Sequence, residues 1–170
     1  MNLLTIHPDY IWNLDEKPLM PDFITGSYRV DGTRIPRTSG ARSASWSLLF
    51  WLSASGKTIP PLCIFPEPIR CQMAEITATL SQQRTGFRTA VEPNGYMNSK
   101  LFENELYEAL PLIRRTMKMS AHQCGLLIFD NHKSHVGRKV ESICRWFGFH
   151  VLTIPSHLSI LIQPLDNHFN

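Results

Sequence analysis

The stretch "CGLLIFD", Cys124 to Asp130, constrains this chain more than any other. It is an uninterrupted apolar run that ends in a carboxylate. That is the pattern of a central strand covered on both faces, and such strands belong to sheets whose parallel neighbours are joined by helices. The following residues fit. Val136, Val140, Ile143, Cys144 and Phe147 recur at i, i+4, i+7, i+8 and i+11, which predicts an amphipathic helix closed by Gly148. "HVLTIP", His150 to Pro155, then reads as the next strand. A strand–helix–strand unit of this kind makes the fold α/β.

Upstream, "YIWNLD" is a short apolar run that suits a buried strand ending at Asp15, with Pro18, Pro21 and Gly26 as breakers behind it. In "SWSLLFWLSASGKTIPPLCIF" two apolar runs flank a Ser-Gly-Lys turn, which predicts a β-hairpin. Pro60 and Pro61 put its second arm near a sheet edge or make that arm start irregularly. Residues 66–96 give no clear pattern. Asn98 reads as the N-cap of a helix carrying Leu101, Phe102, Leu106, Ala109 and Leu110, which Pro111 bends or ends. The order is strand, hairpin, helix, strand, helix, strand, with a mixed sheet. Trp46, Trp51 and Trp146 read as core packing.

Composition bounds the function. A chain of 170 residues is one ordinary domain, and 43% hydrophobic with 18% charged residues is globular rather than disordered. A formal charge of +3 is compatible with a polyanion partner. The N-terminus lacks the pattern of a signal peptide, and no apolar run is long enough for a membrane span. Cys63, Cys71, Cys124 and Cys144 form no C-x-x-C pair and read as reduced core residues of the cytosol or nucleus.

Two strands, ending at Asp15 and Asp130, deliver carboxylates. A buried acid needs exposure, a basic partner or a metal ion to offset its desolvation. "FDNHKSH" gathers Asp130, Asn131, His132, Ser134 and His135 directly after the central strand, where α/β folds place chemistry. His132 and His135 alone make a poor zinc pair, and Ser134 with His135 lacks a nucleophile elbow. Asp and Asn oxygens are the hard ligands that magnesium or manganese prefers. A turn acid is the plainer alternative for each aspartate. Residues 28–42, "YRVDGTRIPRTSGAR", set Arg29, Arg34, Arg37 and Arg42 against a single acid, Asp31, and a solvated basic loop is the plainer alternative there.

Five blocks in order carry a resemblance to a known family: "IWNLDE", "RIPRTSGARSASWSLLFWLSASGKTIPPLCIF", "GYMNSKLFENEL", "FDNHKSH" and "TIPSHLSILIQPLD". The chain resembles the DDE-superfamily endonuclease domain of pogo/Tigger-like and Jerky-like transposases and of their centromere-binding relatives. The resemblance spans residues 10–170. It implies a ribonuclease-H-like mixed sheet flanked by helices, as a single domain over residues 1–170. It also implies that the upstream helix-turn-helix modules are lacking and that the helix after Asp166 is truncated. By the same resemblance Asp15, Asp130 and Asp166 are the catalytic acids and hold two Mg²⁺ or Mn²⁺ ions, placed about 3.5–4 Å apart for an in-line phosphodiester displacement. Asn131, Ser134 and His135 then support the ligands or touch substrate phosphate, and Arg29, Arg34, Arg37 and Arg42 contact DNA phosphates.

The implied partner is DNA, engaged by a homodimer in a transposition complex in the nucleus, with no membrane and no small-molecule substrate. The competing expectations are a catalytically inactive remnant that binds nucleic acid or protein, and a cellular ribonuclease or exonuclease of the same fold.

Overall fold

In this computed structural model the described residues are 6–19, 46–67, 86–133, 135, 137–155 and 165. A short 3-10 turn, Pro8–Tyr10, leads into β1 (Ile11–Leu19). β2 (Trp46–Ser53), β3 (Leu62–Pro66) and β4 (Arg88–Glu92) follow, then α1 (Ser99–Thr116), β5 (Gly125–Asp130), α2 (Arg138–Trp146) and β6 (Phe149–Ile154). The strands form one mixed sheet in the order β4-β3-β2-β1-β5-β6. β1 with β5, β5 with β6 and β3 with β4 pair in parallel, whereas the β2 turn closes through an antiparallel Leu52–Thr58 bridge. With the two helices flanking it, this is the ribonuclease-H-like architecture.

The chain packs as two compact units, one of Met1–Glu16, Leu49–Pro61 and Met97–Asn170, the other of Lys17–Leu48 and Leu62–Tyr96. In the first, Trp12 and Leu14 of β1, Leu127 and Phe129 of β5, and Phe102, Leu106 and Leu110 of α1 are fully buried. Trp51 closes this core and donates its indole N–H to Glu105 Oε1 at 2.8 Å, which gives a buried carboxylate a partner. In the second unit Leu62, Cys63, Ile64 and Phe65 of β3 are buried, and Trp46 stacks on Phe65 with ring centroids 5.4 Å apart.

The β5–α2–β6 unit and the capped α1 match the sequence expectation. Asn98 Oδ1 accepts the Leu101 N–H at 2.9 Å, and Gly148 takes a positive φ of 76° just behind α2. Cys63, Cys124 and Cys144 are free thiols, and burial pushes Cys63 up to about 11 and Cys144 up to about 12. Cys71 lies outside the described residues.

Several expectations are corrected. β1 does not end at Asp15 but continues through Pro18 to Leu19. The register of β1 with β5 ends at Asn13 and Ile128, so the N–H that Pro18 lacks is not required on that side. The two prolines do make β3 start late, at Leu62, but β3 is not an edge, because β4 from the unreadable segment pairs with it. Pro111 lies inside α1 without ending it. Both Pro111 and Tyr107, whose carbonyl loses its helical donor, are on the exposed side, where water can serve that carbonyl. β5 is buried on one face only, through Gly125, Leu127 and Phe129. Trp146 is 82% exposed, since it falls outside the Val140, Ile143 and Cys144 stripe of α2.

Gly125 begins β5 because nothing larger fits. A Cβ there would lie 2.3 Å from the buried Phe149 ring and 3.0 Å from the Tyr10 carbonyl oxygen. Gly125→Ala is expected to cost about 1–3 kcal/mol by overpacking, read as a lower urea midpoint with an unchanged slope.

Candidate functional site

The site starts from the pairing of β1 with β5. Ile11, Trp12 and Asn13 lie opposite Leu126, Leu127 and Ile128 in parallel register. The register ends at Asn13 and Ile128, and Asp15 and Asp130 each lie two residues further along their strands. Side chains alternate along a strand, so Trp12, Leu14, Leu127 and Phe129 enter the core, and Asn13, Asp15, Ile128 and Asp130 share the other face.

Asp130 is held by the loop that follows it. His135 Nδ1 donates to Asp130 Oδ1 at 2.6 Å, and the His132 backbone N–H reaches the same oxygen at 3.3 Å. Burial pushes the Asp130 carboxyl up, but the hydrogen bond and charge of His135, with the help of His132, outweigh it. The net effect is a value below the ordinary 3.8. Asp130 is therefore ionised at neutral pH.

His135 is itself fixed. It is buried, its ring lies 4.4 Å from that of Phe102 and 6.0 Å from that of Phe129, and its backbone N–H bonds the His132 carbonyl at 2.8 Å. Its Nε2 is buried without a hydrogen-bond partner among the described residues. Asn131 is exposed, and its backbone N–H bonds the Ile154 carbonyl of β6 at 3.1 Å, which ties the loop to the neighbouring strand.

Of the residues expected from sequence, Asp130 and His135 are in contact, Asn131 is adjacent in the chain, and Asp15 lies on the strand next to that of Asp130. Asp166, Ser134, Arg29, Arg34, Arg37 and Arg42 lie outside the described residues, as does the stretch after Asp166 where a truncated helix is expected. Among the described residues no group of three or more His, Cys, Asp or Glu side chains is clustered as metal ligands. The donor set that is present fits a hard divalent cation. Carboxylate oxygens are the hard donors such a cation takes, and Asp130 is held away from protonation. The neighbouring Glu16 is engaged elsewhere, accepting the Met97 N–H at 3.1 Å ahead of α1.

Sequence reasoning missed Asn13. Its side chain is buried, donates through Nδ2 to the Ile128 carbonyl at 2.9 Å and accepts the Leu165 N–H at 3.3 Å. The available signal was one amide inside the apolar run "YIWNLD", at even spacing from Asp15. A buried amide in such a run must find partners.

Residues 44–169 match the family described as DDE superfamily endonuclease. The chain belongs to that family. Its fold is similar to that of the Mos1 transposase catalytic domain solved with raltegravir and Mn, at a TM-score of 0.59 and 15% identity over 96% of this chain and 57% of that one. It is also similar to the Mos1 transposase paired-end complex with left transposon end, at a TM-score of 0.58 and 16% identity over 95% of this chain and 40% of that one. A curated protein of Cochliobolus lunatus named MFS-type transporter clz9 is 26% identical over 161 residues, which is 92% of this chain and 17% of that protein. The chain therefore spans a minor part of that relative and about half of the Mos1 chains. No helix among the described residues is long and apolar enough to cross a membrane.

The His135–Asp130 pair has a direct test. His135→Ala removes the hydrogen bond that lowers the Asp130 carboxyl and leaves the effect of burial, so Asp130 should titrate higher, as read by carboxyl ¹³C NMR. The sign for stability follows. A folded-state value below the unfolded one stabilises the wild type above the ordinary carboxylate range, and that contribution fades as pH falls through the lowered value. His135→Ala should therefore show a shallower loss of stability on acidification than the wild type.

Proposed function

We propose that this chain is the catalytic domain of a pogo/Tigger/Jerky-like, transposase-derived DNA endonuclease. Its reaction is divalent-ion-dependent hydrolysis or strand transfer at a DNA phosphodiester. The observation that carries the reading is the pair of carboxylates, Asp15 and Asp130, on adjacent parallel strands in a DDE superfamily endonuclease, with Asp130 hydrogen-bonded by a buried histidine. The reading is supported by the fold likeness to Mos1 transposase, whose structures include a paired-end complex with a transposon end and a catalytic domain with Mn.

In this reading Asp15, Asp130 and Asp166 hold two Mg²⁺ or Mn²⁺ ions, which when bound would activate a water or DNA 3′-hydroxyl and neutralise charge developing on the phosphodiester. The chain's own residues do the positioning. His135 occupies one oxygen of Asp130 and fixes the carboxylate plane, so that the other oxygen presents a single direction. Phe102 and Phe129 stop the imidazole from turning. Asn131 and Ser134, beside the site in sequence, contact the substrate phosphate. Arg29, Arg34, Arg37 and Arg42 track the DNA backbone, which gives affinity that falls steeply with salt and does not depend on sequence. The partner is DNA in the nucleus, and a homodimer assembles the two transposon ends.

The test is nicking of supercoiled plasmid with Mg²⁺ or Mn²⁺, alongside thermal melts. The wild type should nick, and Asp130→Asn should fall to background. A bound ion at a hundredfold its dissociation constant should stabilise the wild type by about 2.7 kcal/mol, and Asp130→Asn should lose that gain. A folded wild type that neither nicks DNA nor melts higher with metal sinks the catalytic reading and leaves an inactive DNA-binding remnant.

A further inference from the structure

We infer that Asn13 is a positioning residue of the proposed site, a clamp that fastens the segment carrying the third acid to the two strands carrying the first and second. The inference rests on the reading of the three aspartates as a functional set, but its geometric basis is independent of it. The Asn13 carboxamide is 5% exposed and bonds two backbones that are far apart in sequence. Its Nδ2 donates to the Ile128 carbonyl of β5 at 2.9 Å, and its Oδ1 accepts the Leu165 N–H at 3.3 Å. Nδ2 also lies 3.5 Å from the Leu14 carbonyl of its own strand.

The level at which these bonds are made gives them their meaning. Asn13 and Ile128 are the last register pair of β1 with β5, and each is two residues before the acid of its strand, so the clamp is made where the pairing ends, just ahead of Asp15 and Asp130. Leu165, itself 3% exposed, is one peptide bond before Asp166. One side chain thus meets all three acid-bearing segments immediately before their acids.

The chemistry requires this residue type. One partner is a carbonyl and needs a donor, and the other is an N–H and needs an acceptor. A carboxamide supplies both from one planar group. The two partners also fix which end of the amide is nitrogen. Aspartate offers no donor to Ile128, and leucine, of nearly the same size, offers neither function. Burial sharpens the requirement, since a peptide group taken out of water without a partner is costly. The Leu165 segment is therefore bound by direct backbone recognition as well as by its apolar side chain.

The experiment compares the full-length wild type with Asn13→Leu by amide hydrogen exchange and by Mn²⁺ titration calorimetry. In the wild type the Leu165 amide should exchange as slowly as the β1 and β5 amides. In Asn13→Leu it should exchange at least about tenfold faster, with β5 still protected. Mn²⁺ affinity should fall by about 10–100-fold, as for loss of a group that orients ligands. A merely structural asparagine would lower the melting temperature of the metal-free chain and leave the Mn²⁺ affinity of the folded fraction unchanged, and that result overturns the inference. A freely exchanging Leu165 amide in the wild type overturns it without any variant, which covers the case in which Asn13→Leu does not fold. If the wild type binds no Mn²⁺, the reading of the acids as ligands falls, and the clamp then stands or falls on the Leu165 exchange rates alone.

Discussion

The parallel pairing of β1 with β5 is the constraint on which the rest of the structure depends. Its register is set on the core face, where Trp12 and Leu14 meet Leu127 and Phe129, all fully buried. A slip of β1 by one residue would turn Trp12 and Leu14 outward and bring Asn13 and Asp15 inward, leaving Leu127 and Phe129 without their apolar neighbours. Each large side chain contributes about 1.5–3 kcal/mol on burial, so the slipped state is remote. Asp15 and Asp130 are carried on these two adjacent strands by this packing without contributing to it. The hydrophobic face determines the alignment, and the opposite face uses it.

That division also decides what could be read from the sequence. The apolar run of β5, the stripe of α2 and the Asn98 cap are strong local signals, and each element lies where they point. The acids Asp15 and Asp130 were legible as candidates because they interrupt or end such runs. The end of β1 was not legible, because whether a strand can run through Pro18 depends on where its neighbour stops. β4 was missed for a related reason. As an edge strand with every residue half-buried, "RTAVE" has neither a continuous apolar run nor a clean alternation. Trp146 was assigned to the core on residue type, although its place around α2 lies off the buried stripe. Asn13 was passed over because its role is made by two partners 115 and 152 residues away.

The way Asp130 is kept charged bears on what the site can accept. An arginine or lysine salt bridge would also lower an aspartate, but it would place a permanent cation where a divalent ion has to approach. Here the lowering comes from the short hydrogen bond and charge of His135, whose bond engages one oxygen, with the help of His132. Both described hydrogen bonds to the carboxylate end on Oδ1, so the polar environment is one-sided. A carboxylate oriented in this way retains ligand character that a forked ion pair would have consumed.

Such an arrangement works only if the histidine cannot move, and the path of its immobilisation runs back into the core. Its ring lies against Phe102, a fully buried residue in the first turns of α1. Asn98 caps that helix, and the Trp51–Glu105 bond ties it to β2 one turn further on. Reactive geometry tolerates errors of only about 0.5 Å, so a ligand is no better placed than the groups that hold it. The cap of α1, its aromatic packing and the buried indole–carboxylate bond therefore act on the chemistry at a distance: they set where the imidazole lies, and the imidazole sets where Asp130 points.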